Sequence, residues 1–147
     1  LVVHDYGKIH SNWISCFEST RDSKWLITGS WDMHVKRISV ESREVDKDLG
    51  QISHEWIISM KITADEEKLF VGDMYGYLKL ISLRDGQVIK PFGKVHDNSI
   101  TGILITLDQK SFFTSSEDGG FKQWNYQENT LVKDHGKIMN YIWSLCI

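Results

Sequence analysis

Four glycines recur at a fixed interval along this chain of 147 residues. Gly7, Gly50, Gly93 and Gly136 are 43 residues apart, and isoleucine, aspartate and further glycine positions repeat with the same period. Three units of this period align without a gap over residues 14–126. Such a period is typical of proteins built by stacking copies of one supersecondary unit. The repeat therefore constrains the fold more than any other feature of the sequence.

Each unit has the sequence pattern of short β-strands. In the third unit, β-branched and apolar residues fill 100–107, a turn follows at 108–110, and a second apolar run begins at Phe112. Residues 118–120, Asp-Gly-Gly, suit a hairpin turn because glycine accepts positive φ. The single proline, Pro91, falls at a strand end, and no stretch shows a helical period. Four strands per unit predict an all-β chain of four-stranded antiparallel β-propeller blades.

The period also divides the chain. Residues 10–49, 50–92 and 93–135 are predicted to be three consecutive blades, of which the second is the most degenerate. Residues 1–9 are interpreted as the closing strand of a preceding blade, and 136–147 as the first strand of a following one. A closed propeller needs about four to eight blades, and unpaired blade faces are apolar. We therefore expect either further repeats in the full-length protein or assembly with other copies.

The third unit resembles a repeat of the WD-repeat family. The positions that carry this resemblance are those of the family's structural tetrad, which here are His96, Thr114, Asp118 and Trp124. The first unit keeps three of them and has Ile38 in place of the tryptophan: His10, Thr28 and Asp32. The second unit departs most, with Val71, Tyr75 and Ile81 at these positions and His54 shifted by one place.

The tetrad residues can form a chain of buried hydrogen bonds. The aspartate accepts from one ring nitrogen of the histidine, the threonine hydroxyl bonds the other, and the indole N–H donates to that hydroxyl. In the second unit the polar partners are replaced by apolar groups, which is close to neutral when they are replaced jointly. His54 is then expected to reach solvent or backbone.

The resemblance also implies a partner-binding surface on the top rim of the propeller. Three equivalent positions per unit line this rim in the family: Trp13, Trp56 and Ser99; Ser15, Ile58 and Thr101; and Trp31, Met74 and Glu117. Large aromatic residues beside turns are poorly explained by a core, and Trp and Met are frequent anchors of partner surfaces. The alternative is that these rings pack against a neighbouring blade or loop.

No residue pattern points to catalysis, a cofactor or a metal. The Thr-His-Asp sets imitate a nucleophile, a base and an orienting acid, but they recur at the repeat period, which structure explains and a single active site does not. The histidines lack tight ligand spacing, and no phosphate-binding glycine loop is present. Asp22, Asp65 and Asp108 recur at predicted turns, where aspartate bonds its own backbone. We expect a protein that is not an enzyme.

Charge and cysteine content restrict the partners and the compartment. The formal net charge is −3 and the basic residues are scattered, which argues against a nucleic-acid surface. No apolar run approaches the ~20 residues of a membrane span. Two cysteines do not make a disulfide framework, so an intracellular and cytoplasmic location is expected.

The leading hypothesis is therefore a non-catalytic scaffold that holds a protein or peptide on its top rim. A second hypothesis is an accessory sensor or regulatory repeat region of a larger multidomain enzyme, such as a kinase or NTPase. A third, binding of nucleic acid or lipid headgroups, would need a basic cluster larger than the Lys36 and Arg37 pair.

Overall fold

The computed structural model describes residues 4–137, which contain twelve β-strands and no helix. The first sheet comprises β1 (Ile14–Ser19), β2 (Trp25–Ser30), β3 (His34–Ser39) and β4 (Glu44–Gln51). The second comprises β5 (Ile57–Ile62), β6 (Lys68–Asp73), β7 (Tyr77–Ser82) and β8 (Val88–Lys94). The third comprises β9 (Ile100–Ile105), β10 (Ser111–Ser116), β11 (Gly120–Asn125) and β12 (Thr130–Lys137). The prediction of an all-β chain of four-stranded antiparallel blades is confirmed.

In each sheet the strands pair in sequence order, and each pair is antiparallel. The first strands of the three sheets pack side by side, β1 against β5 and β5 against β9. These first strands are therefore innermost, and the fourth strands lie on the outside. We call the three sheets blades 1, 2 and 3.

The periodic glycines are explained by a bulge in the fourth strand of each blade. Opposite Val35 and Lys36 the register of β4 slips by one residue, and Gly50 there has a φ of +96°. A side chain at Gly50 would meet no atom within 4 Å, so the backbone conformation and not the space requires glycine. Gly93 and Gly136 have φ values of +78° and +73° at the equivalent bulges.

The hydrophobic core lies between the blades. One cluster joins blades 1 and 2 and includes Ile27, Val35, Ile57 and Leu69. A second joins blades 2 and 3 and is built largely from rings, among them Phe70, Phe112 and Trp124. Blade 2, which has a neighbour on each side, therefore buries apolar side chains on both of its faces. Blades 1 and 3 each bury them on one face.

On the face of blade 1 that points away from blade 2, apolar side chains are exposed because no neighbouring blade lies against it. Ile57 and Ile100 are fully buried, whereas Ile14, at the same position of the first unit, is 46% exposed. Phe17 is 72% exposed, whereas its counterpart in blade 2, Met60, is 6% exposed. No described residue covers this face.

The blade boundaries in the structure lie slightly beyond the predicted ones. Strands β4, β8 and β12 end at residues 51, 94 and 137, two residues after the unit ends predicted at 49, 92 and 135. Residues 4–9 form no strand, and residues 136 and 137 belong to β12. Residues 1–3 and 138–147 lie outside the described part, so the closing and opening strands proposed for the chain ends stay predictions.

Three turns per blade end in a left-handed residue. The turn between the first and second strands is held by Asp22, Asp65 and Asp108, whose carboxylates accept from a threonine hydroxyl and a backbone N–H in every blade. The predicted turn role of these aspartates is confirmed.

Among residues 4–137 there is no helix that is long and apolar enough to cross a membrane.

Candidate functional site

The predicted rim residues meet at one end of the blades. We call this end the top rim; it is where the loop before each first strand meets the turn between the second and third strands. The same backbone hydrogen bond joins the two segments in every blade: Trp31 N to Trp13 O at 2.9 Å, Met74 N to Trp56 O at 2.9 Å, and Glu117 N to Ser99 O at 3.1 Å. In each blade the structure thus places one residue of the Trp13 set beside one residue of the Trp31 set.

Three tryptophans stack along the rim and form a tryptophan ladder of Trp13, Trp31 and Trp56. The ring centroids of Trp13 and Trp31 are 4.7 Å apart with planes tilted by 34°. Those of Trp31 and Trp56 are 4.1 Å apart and nearly parallel, at 4°. Because Trp31 belongs to blade 1 and Trp56 leads into blade 2, the ladder bridges two blades.

The ladder shows features of both hypotheses for these residues, packing against a neighbouring blade and exposure to a partner. Trp31 packs against a ring from the next blade, whereas Trp13 at the end of the stack is 70% exposed. No indole N–H of the ladder donates to an acceptor within residues 4–137. The ladder therefore presents one open ring face and unsatisfied ring edges to solvent.

The predicted rim positions Ser15, Ile58 and Thr101 have a different role. Ser15 Oγ donates to Ile57 O in blade 2 and lies 3.2 Å from Gly29 O, so this hydroxyl ties two blades together. Thr101 Oγ1 lies 3.3 Å from Ser115 Oγ, and Ile58 is partly buried on β5. These side chains support the inner strands beneath the rim.

Blade 1 has the hydrogen bonds expected of its histidine, threonine and aspartate. His10 Nδ1 lies 2.9 Å from Asp32 Oδ2, and His10 Nε2 lies 2.8 Å from Thr28 Oγ1. Ile38 is 2% exposed and fills the place of the tryptophan. Burial raises the pKa of Asp32, but hydrogen bonds from the backbone N–H groups of His34 and Ser11 and from His10 outweigh it and lower the pKa to about 2.

Blade 3 contains all four residues, with one longer contact. Trp124 Nε1 donates to Thr114 Oγ1 at 3.0 Å, and Thr114 Oγ1 lies 2.9 Å from His96 Nε2. His96 Nδ1, however, is 3.4 Å from Asp118 Oδ2, too long and poorly aligned for the hydrogen bond expected from the sequence. Burial lowers the pKa of His96 despite the nearby carboxylate.

Blade 2 replaces this network with a pair that the sequence reading missed. Asp73 is 4% exposed and accepts a hydrogen bond from Ser53 Oγ at 2.8 Å. It also accepts from the backbone N–H groups of Tyr75 and Tyr77, as Asp32 does from His34. The strict period aligns Ser53, and not His54, with the histidines, and His54 is exposed as expected.

A lysine in each third strand fixes the rim loop from below. Each ammonium donates to the backbone carbonyl just before the histidine position: Lys36 to Ile9 O at 2.7 Å, Lys79 to Ile52 O at 2.8 Å, and Lys122 to Val95 O at 2.7 Å. These lysines repeat with the 43-residue period, which was the signal that could have identified them. They hold the loops that carry the ladder.

The Thr-His-Asp sets are poorly suited to catalysis because their hydroxyls are buried. Thr28 is 5% exposed and Thr114 is fully buried, so no substrate has access to either oxygen. Burial raises the pKa of the Cys16 thiol to about 12, which keeps it protonated and unreactive at neutral pH. Within residues 4–137 no group of three or more His, Cys, Asp or Glu side chains is arranged to hold a metal ion.

Radially stacked four-stranded antiparallel sheets with a rim of turns are the blades of a β-propeller. Residues 4–37 match the family model "WD domain, G-beta repeat". This match covers the first repeat only, and the fold is that of WD40 β-propeller domains, so both agree with the resemblance seen in the sequence.

Solved structures of the same fold include the WD40 β-propeller domain of Doa1, with a TM-score of 0.80 and 17% identity over 92% of this chain and 44% of that one. The RRP9 WD40 repeats give a TM-score of 0.77 and 22% identity, covering 85% of this chain and 39% of that one. The computationally designed Ika4 protein gives 0.78 and 16%, covering 94% and 81%. The chain thus spans less than half of the first two structures. No curated protein matches it.

We predict that Asp73 in blade 2 can be exchanged for the aspartate position that blades 1 and 3 use. Asp73→Ser alone should lower the free energy of unfolding by about 1–3 kcal/mol, because two backbone N–H groups and Ser53 lose their acceptor. Blades 1 and 3 have a serine at the Asp73 position, Ser30 or Ser116, whose hydroxyl accepts from the backbone N–H of Asp32 or Asp118. Adding Tyr75→Asp recreates that arrangement and should recover most of the loss. Urea unfolding followed by tryptophan fluorescence measures both variants. Equal loss in the single and double variants would contradict the exchange.

The lowered pKa of Asp32 predicts a pH-dependent contribution to stability. The ordinary value is 3.8 and the folded value about 2, so the stabilisation is complete above pH 3.8 and is lost as the pH falls through 2. It amounts to about 1–2 kcal/mol. The difference in unfolding free energy between the wild type and Asp32→Asn should therefore shrink from pH 5 to pH 2. A difference that stays constant over this range would contradict the assignment.

Proposed function

We propose that this protein is a non-catalytic interaction module that binds a protein or peptide on its top rim. WD40 propellers generally act as protein-interaction scaffolds. The observation that carries the proposal for this chain is the tryptophan ladder, with Trp13 exposed by 70% at its end. Exposed tryptophans held in a fixed position are the residues that most often anchor a partner.

The rim is rigid, which favours binding. The ladder rings contact each other across two blades, and their loops are held by the lysine bonds to Ile9 O and Ile52 O. Because these side chains are already ordered, a partner that covers them loses little additional conformational entropy from this protein.

The opposite end of the blades is a weaker candidate. An open groove of about 470 Å³ lies there between the inner strands, lined by residues such as Phe17, Lys61 and Leu107. Three of its charged side chains already have partners: Lys61 Nζ lies 3.2 Å from Glu18, and Glu66 accepts from Arg21 N. A ligand would have to displace these contacts, whereas the rim residues are free to bind.

The hypothesis of a regulatory region in a larger enzyme remains compatible with this proposal, since a sensor also needs a partner surface. An intracellular, cytoplasmic location is proposed on the low cysteine content alone.

The rim proposal predicts that Trp13→Ala weakens binding without unfolding the protein. Peptides selected from a random dodecapeptide phage library on the immobilised wild-type chain serve as probes, and fluorescence anisotropy gives their Kd. Trp13→Ala should cost about 1–4 kcal/mol of binding free energy. The control is Leu107→Ala, which removes a side chain that is 90% exposed at the opposite end and should leave the Kd unchanged. Unchanged binding by Trp13→Ala would refute the rim assignment.

The uncovered face of blade 1 is proposed to be covered in the working protein by a further blade or by a second copy. Ile14 and Phe17 occupy positions that are buried in blades 2 and 3, so their exposure leaves apolar surface in water. This is the same kind of surface that forms the two observed blade interfaces.

The chain of 147 residues alone should therefore self-associate as its concentration rises. Phe17→Asp should shift the distribution towards the monomer in sedimentation-velocity runs, because a charge replaces an apolar contact. Val88→Asp places the same charge at a 46% exposed site on β8, the outermost strand of blade 2 and away from this face, and should leave association unchanged. A wild-type chain that stays monomeric at high concentration would contradict this expectation.

A further inference from the structure

The loops of the top rim carry negative charge and no positive side chain of lysine or arginine. These loops comprise residues 10–13, 31–33, 53–56, 74–76, 96–99 and 117–119. Their five carboxylates are Asp32, Glu55, Asp97, Glu117 and Asp118. The loops at the opposite end contain both signs, with contacts such as Lys24 to Asp22 and Lys68 to Asp65. The one-signed charge is thus a property of the rim.

Two of the five carboxylates are occupied and three are free to bind. Asp32 is engaged with His10 and backbone N–H groups, and Asp118 accepts from the N–H groups of Asp97 and Gly120. Glu55, Asp97 and Glu117 form no ion pair with any residue in the described part of the chain, and none of the three is buried. These three carboxylates keep their charge available to a partner.

The lysines near this end of the blades form no ion pair with the three carboxylates within the described residues. Lys36 and Lys122 donate to loop carbonyls and lie 3.5 Å and 3.4 Å from Asp48 and Asp134. Lys79 donates to Ile52 O. Lys94 and Lys137 end the outermost strands of blades 2 and 3 at the rim end, opposite Tyr77 and Gly120, and form no ion pair with a described rim carboxylate. The loops of the rim therefore keep more carboxylates than the ammonium groups at the same end of the blades can neutralise.

The aromatic residues of the rim lie on blades 1 and 2, and most of the free carboxylates lie at blade 3. The ladder and Met74 belong to blades 1 and 2, with Glu55 adjacent to Trp56. Glu117 occupies in blade 3 the position that Trp31 occupies in blade 1, and Asp97 lies in the loop before β9. Tyr75, which is 50% exposed, lies in the rim turn of blade 2. A segment that follows the rim from blade 1 to blade 3 meets rings first and carboxylates second.

We propose that the rim partner is a basic protein segment, in which one lysine or arginine lies over the open face of Trp13 and others pair with Glu55, Asp97 and Glu117. This inference rests on the proposed function and specifies its partner. A cation over an indole face is attracted by the ring quadrupole, and the long apolar stem of lysine or arginine packs on the ring. The free carboxylates attract the remaining basic groups and steer their approach. The same charge repels phosphate, so a nucleic acid is not the occupant.

The test compares two triple variants of the full chain with the selected dodecapeptides. The rim variant combines Glu55→Gln, Asp97→Asn and Glu117→Gln. The control combines Glu41→Gln, Glu67→Gln and Glu128→Gln, which removes the same number of carboxylates from the loops at the opposite end. The peptides should be enriched in lysine and arginine over the unselected library. The rim variant should weaken their binding about tenfold at about 0.05 M salt, and the control by less than about twofold.

The outcomes separate this inference from the proposed function. Basic peptides that lose affinity with the rim variant, with Trp13→Ala and with rising salt support both. Peptides that need Trp13 but are not enriched in basic residues, or bind the rim variant as well as the wild type, refute the charge inference and leave the rim proposal standing. Equal weakening by both triple variants refutes it as well, because the attraction then reflects net charge alone. Binding that is insensitive to Trp13→Ala refutes the rim proposal itself.

Discussion

Burial of apolar sheet faces between consecutive blades is the interaction on which the rest of this structure depends. A four-stranded antiparallel sheet with two apolar faces cannot bury either face by itself, so each blade requires a neighbour. Between blades 1 and 2 aliphatic side chains such as Ile27 and Leu69 fill the space, whereas between blades 2 and 3 it is filled by Phe70, Phe112 and Trp124. The difference shows that the interface needs volume and apolar character more than particular residues.

The buried polar positions beside this core hold different hydrogen-bonding residues in each blade. Blade 3 has histidine, threonine, aspartate and tryptophan, and blade 1 keeps three of these with isoleucine in the fourth place. Blade 2 uses Ser53 and Asp73, and its Asp73 holds the same turn that Asp32 holds in blade 1. In all three blades an aspartate accepts the N–H at the start of the third strand. The capped turn is therefore the common feature, and the buried histidine is one way of supporting it.

The blades hold the side chains of the rim in fixed positions. The loops that carry Trp13 and Trp56 are fixed by backbone bonds, by lysines from the third strands and by ring stacking across blades. Side chains held in this way are available for recognition without further ordering. The rim thereby joins an apolar part on blades 1 and 2 to an acidic part that extends to blade 3.

Much of this arrangement was predictable from local sequence, because strand alternation, turn aspartates and positive-φ glycines act over a few residues. The 43-residue period, the strand order and the turn role of Asp22, Asp65 and Asp108 follow from such local rules. The period also placed Trp13 with Trp56, and Trp31 with Met74, at equivalent positions of successive units. The Ser53 and Asp73 pair was missed because a nearby His54 suggested a shifted tetrad. The tertiary structure alone decided that Trp31 stacks on Trp56, since that contact depends on how far one blade is rotated from the next. It also decided that Ile14 is exposed while Ile57 is buried: identical residues at one repeat position differ only in whether a neighbouring sheet lies against them, and a sequence pattern carries no information on that packing.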